Sequence, residues 1–441
     1  MSLALTGGTV LTALDPPRLL RTDLFIDDGR VAALGRVPSG TPTRDCSSCL
    51  IIPGNVCGHT HIYSALARGM PYRLDPPGNF LQILQRVWWR LDRALDEEGI
   101  RASALLGGME ALLSGTTTLL DHHASPNAID GSLDILADAF AALGVRSVLC
   151  YEVTDRDGPE RARAGVEENR RFLQTRRPLA RGLTGAHASF TMSADTLAAC
   201  VDVARRSGSG IHIHVAEDLA DQADAGARFG RRVVQRLEEA GALDERPILA
   251  HCVHVDEGET AAIRERRATV AHNARSNMNN AVGRARVEAL GETVILGTDG
   301  IGGDMFAESQ AAYWRAREDS ISLDIAWPLE RLAQTARVAG RIFEEPLLGR
   351  IEPGAPADLA ILAYDPPTPL HEGNVAGHWV FGLSARLVRD VLVSGELVLA
   401  DRRLTRVDQE RLLGAAAAEA ERLWRRLDEV GAHEFVPAGV A

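Results

Sequence analysis

Ten of the thirteen histidines in this chain lie between His59 and His272. The sequence NVCGHTHIY places His59 and His61 two residues apart. In an extended strand, residues i and i+2 face the same side, so both imidazoles can meet one cation. GIHIHVAE adds a third imidazole, His214, followed three residues later by Glu217. Just past a strand end, beside the metal without ligating it, Glu217 suits a proton shuttle between water and substrate. His212 lies one pleat deeper and is expected to pack or hydrogen-bond inside.

In LAHCVHV, His251 and His254 cannot both face inward from a regular strand. His251 is expected inward, beside the metal-bound water and the leaving group or developing oxyanion, with Cys252 packed behind it. LGTDG ends an apolar run in Asp299, between Gly297 and Gly300, which let other groups approach. Asp299 suits an axial metal ligand, with a helix cap as the alternative. Three imidazoles and a carboxylate suit one Zn²⁺, with Fe²⁺ the other possibility. A bound metal lowers the pKa of its water toward ~7, which implies hydrolytic attack at an electrophilic sp² carbon.

The elements that must position these groups are eight short strand candidates, at 55–63, 116–123, 145–153, 183–190, 210–217, 247–255, 268–276 and 293–300. Each of the ten histidines falls in one of them, and helical patterns separate them. Eight βα units of this total length predict a TIM barrel, whose active sites sit at the C-terminal ends of the strands. A doubly wound open sheet is the competing arrangement. Strand-like texture at 1–52 returns at 358–404. The predicted fold is therefore a (β/α)8 barrel over 53–350, with a small β-sandwich built from residues 1–52 and 351–405. Residues 406–441 read as a C-terminal helix and tail, with Leu412, Leu413, Ala416, Ala420, Leu423, Trp424 and Leu427 on one face.

Composition narrows the chemistry. The 441 residues carry 60 acidic and 48 basic side chains, a net charge of −12, and every basic residue is Arg. With no Lys, Schiff-base chemistry, a Walker A lysine and a carboxylated-lysine bridge between two metals are excluded. The acidic balance argues against nucleic acid and anionic membranes as partners. No run reaches the ~20 apolar residues of a membrane helix, and the N-terminus does not read as a signal peptide. A cytoplasmic location is expected. Cys46 and Cys49 form a lone C-x-x-C, weak grounds for zinc or redox work.

PGNVCGHTHIYSALARGM, HIHVAED, LAHCVHVD, HNARSNMNNAVG and LGTDGIGGDMF together resemble the amidohydrolase superfamily. The likeness is to its mononuclear branch of cytosine/guanine-deaminase-like and chlorohydrolase-like enzymes, and within that branch to the SsnA-type aminohydrolases. It extends over nearly the whole chain. It implies that His59, His61, His214 and Asp299 hold one divalent metal ion and that Glu217 protonates a substrate ring nitrogen. His251 would polarise or orient water, and Asp299 would take its proton. It further implies a small-molecule substrate, a heterocycle, and a homodimer. The expected reaction is deamination of a nitrogen heterocycle by a metal-bound hydroxide. Hydrolysis of C–Cl, C–O, C–S or amide bonds is the alternative, and a non-catalytic metal-binding scaffold the third reading. Candidate substrate contacts are His187 and His122, which could equally pack in the barrel, then Asn277, Asp304 and Trp88. Arg275 could meet an acidic substrate group or make a surface ion pair. Residues 69–89 read as a lid after the first strand.

Overall fold

The computed structural model describes residues 2–440. Eight parallel strands close on themselves. In order they are Asn55–Thr60, Thr116–His123, Arg146–Tyr151, the broken pair Ala180–Gly182 and Thr184–Ala188, Ile211–Val215, Ile248–His251, Thr269–His272 and Val294–Leu296. Neighbouring strands pair in parallel register around the ring. Two seams complete it. Leu183 N and His187 N donate to Leu149 O (3.0 Å) and Val153 O (2.9 Å). At the other seam Thr298 N and Asp299 N donate to His59 O (2.8 and 3.0 Å), and His61 N donates to Asp299 O (3.2 Å). Closure rules out the open doubly wound sheet. Strands buried along their whole length, with helices outside, are what a parallel barrel requires.

Several strands end earlier than their sequences suggest. The seventh stops at His272, and a helix starts at Ala274, so 274–276 is not strand. The eighth is only Val294–Leu296. The residues shed from these strands form the rim of the barrel mouth.

The sandwich takes strands from both chain ends. A seven-stranded sheet pairs Cys49–Pro53 with Leu359–Ala363 in antiparallel register, and a four-stranded sheet contributes Leu3–Thr6 and Leu24–Asp27. Its core joins Leu5, Ile26 and Ile51 to Leu359, Ile361 and Leu392. Cys46 and Cys49 are buried there as free thiols.

The lid begins with the helix Phe80–Ile83, capped by Asn79, whose side chain accepts from Gln82 N. A wide π turn follows at Leu84–Trp88, then the helix Trp89–Ala94. The extra residue of a π turn shifts the helical face, which lets Phe80, Leu84, Trp88 and Trp89 all reach the barrel mouth.

The C-terminal helix Gln409–Glu429 buries Leu412, Ala416, Leu423 and Leu427, while Leu413 is 44% exposed and lies off that face. Trp424 Nε1 donates to Leu66 O at 2.9 Å. Beyond it the tail is strapped to the lid. Arg90 Nε donates to Val430 O (2.7 Å), Arg93 Nη2 to Gly431 O (2.7 Å) and Gln85 Nε2 to Phe435 O (2.8 Å). Phe435 packs on Trp89 and Phe190, and Ala438 N donates to Asp224. Among the described residues no helix is long and apolar enough to cross a membrane.

These contacts predict that deleting residues 431–441 frees the lid. Losing two or three hydrogen bonds and an aromatic contact, ~1–2 kcal/mol net, is expected to speed amide exchange across 80–94 about tenfold. Barrel-strand protection should be unchanged. Equal protection of the lid in both proteins would show that the tail does not hold it.

Candidate active site

At the seam between the first and eighth strands, four side chains point to one spot. His61 Nε2 lies 3.1 Å from Asp299 Oδ1 and 3.1 Å from His214 Nε2, and His59 Nε2 lies 3.7 Å from Asp299 Oδ1. Each imidazole is turned inward by a bond on its other nitrogen. His61 Nδ1 donates to His122 O (2.6 Å), His214 Nδ1 donates to His187 O (2.9 Å), and His59 Nδ1 pairs with His212 Nε2 (2.8 Å). Occupying Nδ1 in this way reserves Nε2 for the centre, the nitrogen a cation would take. His59 Nε2 is buried and has no hydrogen-bond partner, although it faces the cluster. The donor atoms of His59, His61 and Asp299 lie close enough together to hold a metal ion, and His214 Nε2 adjoins His61.

His251 is close but differently set. Asn277 Nδ2 donates to its Nδ1 (2.9 Å), so its Nε2 carries the hydrogen. That Nε2 lies 3.4 Å from Glu217 Oε2 and has no hydrogen-bond partner. It is arranged as a donor to an oxygen rather than as a ligand. His254 points away and bonds Val282 O.

One short helix, Ala274–Asn279 with its C-cap Asn280, braces the machinery. Ser276 Oγ donates to Asp299 Oδ2, Asn277 holds His251, and Asn280 Nδ2 reaches Glu217 Oε1 (3.4 Å). Ala216, His251, Cys252 and Asp299 all have left-handed backbones. Such conformations cost roughly 1–2 kcal/mol each in non-glycine residues and cluster at functional sites. Gly297 is needed for close approach, since a Cβ there would sit 2.7 Å from His59 Cβ and 2.5 Å from Asn273 Oδ1. A Cβ on Gly300 would strike the Trp88 ring at 2.2 Å.

The electrostatics follow from burial and proximity. Burial lowers His59 to about 3 and His251 to about 4, so both are neutral. Burial also disfavours a charge on His61, but the Asp299 carboxylate, with Glu152 behind it, raises it to about 9. Burial, reinforced by the Asp299 charge, pushes Glu217 well above the usual carboxylate range, which favours its protonated form. Asp299 moves the other way: burial opposes its charge, yet His59 and His61 hold it well below that range.

A second buried cluster lies beneath the wall. His122 places one nitrogen 3.2 Å from Glu152 Oε2 and the other near the carbonyls of Ala186 and His212. With both nitrogens facing acceptors it braces the barrel and does not line the pocket. Glu152 also faces His187 Nε2 (3.6 Å) and Arg156 Nη1 (3.2 Å), and Arg156 pairs with Asp92 and Asp157 under the Trp89 ring. The chain order gave one signal for Glu152, a lone carboxylate ending an apolar strand; Ser276, Asn280 and Arg156 carried none.

A pocket opens above the centre. Its roof is Phe80, Leu84, Trp88, Trp89 and Phe190, and its floor includes His61, His214, Glu217 and Asp299. Trp88 and His187 line it. Arg275 and Asp304 do not: Arg275 Nε binds Glu308 Oε2 at 2.6 Å, and Asp304 caps the helix Met305–Arg317. Asn277 stands behind His251 rather than facing a substrate.

Two outcomes follow. Arg156→Met would take the shared guanidinium from three buried carboxylates, leaving Asp92 without a cationic partner, and is expected to cost ~3–5 kcal/mol in denaturant unfolding, partly recovered by adding Asp92→Asn. A wild-type-like midpoint would remove Arg156 from the folding balance. A cation must displace the His61 proton below about pH 9. Zinc affinity by chelator competition should therefore rise about tenfold per pH unit from about 7 to 9, then level off. A flat profile would show that no proton is displaced.

The amidohydrolase family matches residues 50–398 of this chain. A 5'-deoxyadenosine deaminase of Methanopyrus kandleri is 31% identical, over 96% of this chain and 99% of the relative. A 5-methylthioadenosine/S-adenosylhomocysteine deaminase of Pelotomaculum thermopropionicum is 30% identical, over 96% and 99%. Among solved structures, an adenosine deaminase from Xanthomonas campestris with bound zinc superimposes with a TM-score of 0.82 at 24% identity, covering 97% of this chain and 99% of that one. On this extent of match, with metal-directed imidazoles at the strand ends, the chain belongs to the amidohydrolase family, metal-dependent hydrolases of carbon–nitrogen bonds.

Proposed function

We propose that this chain is an aminohydrolase that removes the exocyclic amino group of an adenine-type heterocycle, using one divalent ion, zinc, held by His59, His61, His214 and Asp299. The observation that carries the reading is the placing of Glu217 beside both His251 and Asp299 under an aromatic roof. Relatives about 30% identical over their whole length and named as deaminases of adenosine derivatives support the substrate class.

When bound, the cation supplies Lewis acidity and lowers the pKa of water enough to furnish a nucleophile at neutral pH. The side chains do the rest. Glu217 donates its proton to a ring nitrogen, which makes the adjacent carbon more electrophilic. His251 uses its free Nε2–H to orient the attacking oxygen. Asp299, steadied by Ser276, accepts the proton released from water. A C–O bond forms, the C–N bond breaks, and the amino group leaves as ammonia with the protons these groups have passed on. The rings of Trp88, Trp89, Phe80 and Phe190 keep bulk water out and offer flat faces to the heterocycle. His187, fixed by Thr191 Oγ1 (2.6 Å), lines the wall where it can contact substrate.

Glu217→Gln is expected to keep stoichiometric zinc and lose ~10²–10⁴-fold in kcat, because the proton donor goes while the ligands stay. Ammonia release from adenine nucleosides measures this, and near-normal turnover would refute the role. His61→Ala should lose metal content and activity together. Full occupancy by atomic emission in that variant would take His61 out of the ligand set.

A further inference from the structure

We propose that this pocket rejects anionic substrates, so that its occupant is a flat heterocycle bearing no carboxylate or phosphate. The inference rests on the deaminase reading above and adds the charge of the substrate to it.

A carboxylate or phosphate is recognised by guanidinium or ammonium groups or by free backbone N–H groups at a helix N-terminus. The chain contains no Lys, so Arg is the one side chain with a permanent positive charge. Among the described residues lining the pocket there is no Arg, while five carboxyl groups face it: Glu152, Glu217, Asp218, Asp221 and Asp299. The arginines around the wall are committed elsewhere. Arg156 is spent on Asp92, Glu152 and Asp157. Arg236 Nη1 and Nη2 donate to the carbonyls of Ser189 (2.6 Å) and Met192 (2.9 Å). Arg228 binds Asp224 and the Phe190 and Met192 carbonyls. On the far side of Trp88, Arg68 makes two bonds to Glu110.

The backbone offers no substitute. The helix Leu219–Phe229 starts at the pocket, but the Asp218 carboxylate already accepts from Ala220 N at 2.9 Å. Asp221 takes the free N–H groups of Ala216 (2.8 Å) and Phe190 (3.0 Å). The chain's own carboxylates thus fill the positions an incoming anion would need, and no free cationic side chain lines the pocket to receive a second anion. Such a pocket discriminates by charge as well as by fit.

The test uses the zinc-loaded protein with matched pairs, adenosine against adenosine 5'-monophosphate and 5'-methylthioadenosine against S-adenosylhomocysteine. Ammonia release gives kcat/KM, and quenching of tryptophan fluorescence in the Glu217→Gln holoenzyme gives binding without turnover. The monophosphate is expected at least ~100-fold below adenosine in both readouts, mostly through KM. S-Adenosylhomocysteine, a zwitterion, should fall between. Leu84→Arg, which puts a guanidinium on the wall, should narrow the phosphate gap at least tenfold. Equal binding or turnover of the monophosphate and adenosine would overturn the inference, as would an unchanged gap in Leu84→Arg. Selective binding of the neutral partner with no ammonia from any compound would support the charge rule and defeat the deaminase reading instead. Binding of neither partner would overturn both.

Discussion

The hydrogen bonds joining the first barrel strand to the last do two jobs at once. His59 O accepts from Thr298 N and Asp299 N, and His61 N returns a bond to Asp299 O. The same three contacts close the barrel and bring His59, His61 and Asp299 within reach of one cation. Distant stretches of chain therefore need no separate device to meet; the ring of parallel strands imposes the meeting. His214 enters from the fifth strand at the same height, and backbone carbonyls from the second and fourth strands lock the tautomers of His61 and His214. Loosening the seam would loosen the donor set with it.

Around this point the protein keeps charge buried and compensated. Glu152, Arg156, Asp92 and Asp157 form a network beneath the wall, with Trp89 over the guanidinium. It ties the lid helix to the third strand, and the tail adds a second tie through Arg90, Arg93 and Gln85. A buried network of this kind adds little net stability over apolar packing, but it penalises any wrong arrangement heavily. Its effect is to fix where the aromatic roof sits relative to the centre. The left-handed backbones at Ala216, His251, Cys252 and Asp299 are tolerated for the same reason: rigid strands over-determine them and aim their side chains into the mouth.

Much of this was legible before any coordinates. Period-two histidine spacing in HTH and HIH, a carboxylate three residues after His214, and strand-length apolar runs at even intervals follow from local rules of the backbone. What the sequence left open or missed shares a cause. Arg275 has a partner, Glu308, 33 residues away, and Asp304 caps the helix that it begins. His122 looks like pocket chemistry in DHHASP until both its nitrogens are seen engaged in the barrel wall. Strand seven was read too long because the helix from Ala274 is short, six residues, and its N-cap residue Asn273 makes no side-chain cap bond. That helix then brings Ser276, Asn277 and Asn280 to three different site residues, which spacing alone does not reveal.

By itself the sequence determined the strand count, the candidates for metal-directed and proton-shuttling side chains, and the absence of any lysine, because these depend on residue type and short-range periodicity. Only the tertiary structure decided which nitrogen of each histidine faces inward, which carboxylates are paired, and that the arginines around the pocket wall are already engaged. Those outcomes turn on contacts between segments far apart in the chain, and on burial, which sets protonation through desolvation and neighbouring charge.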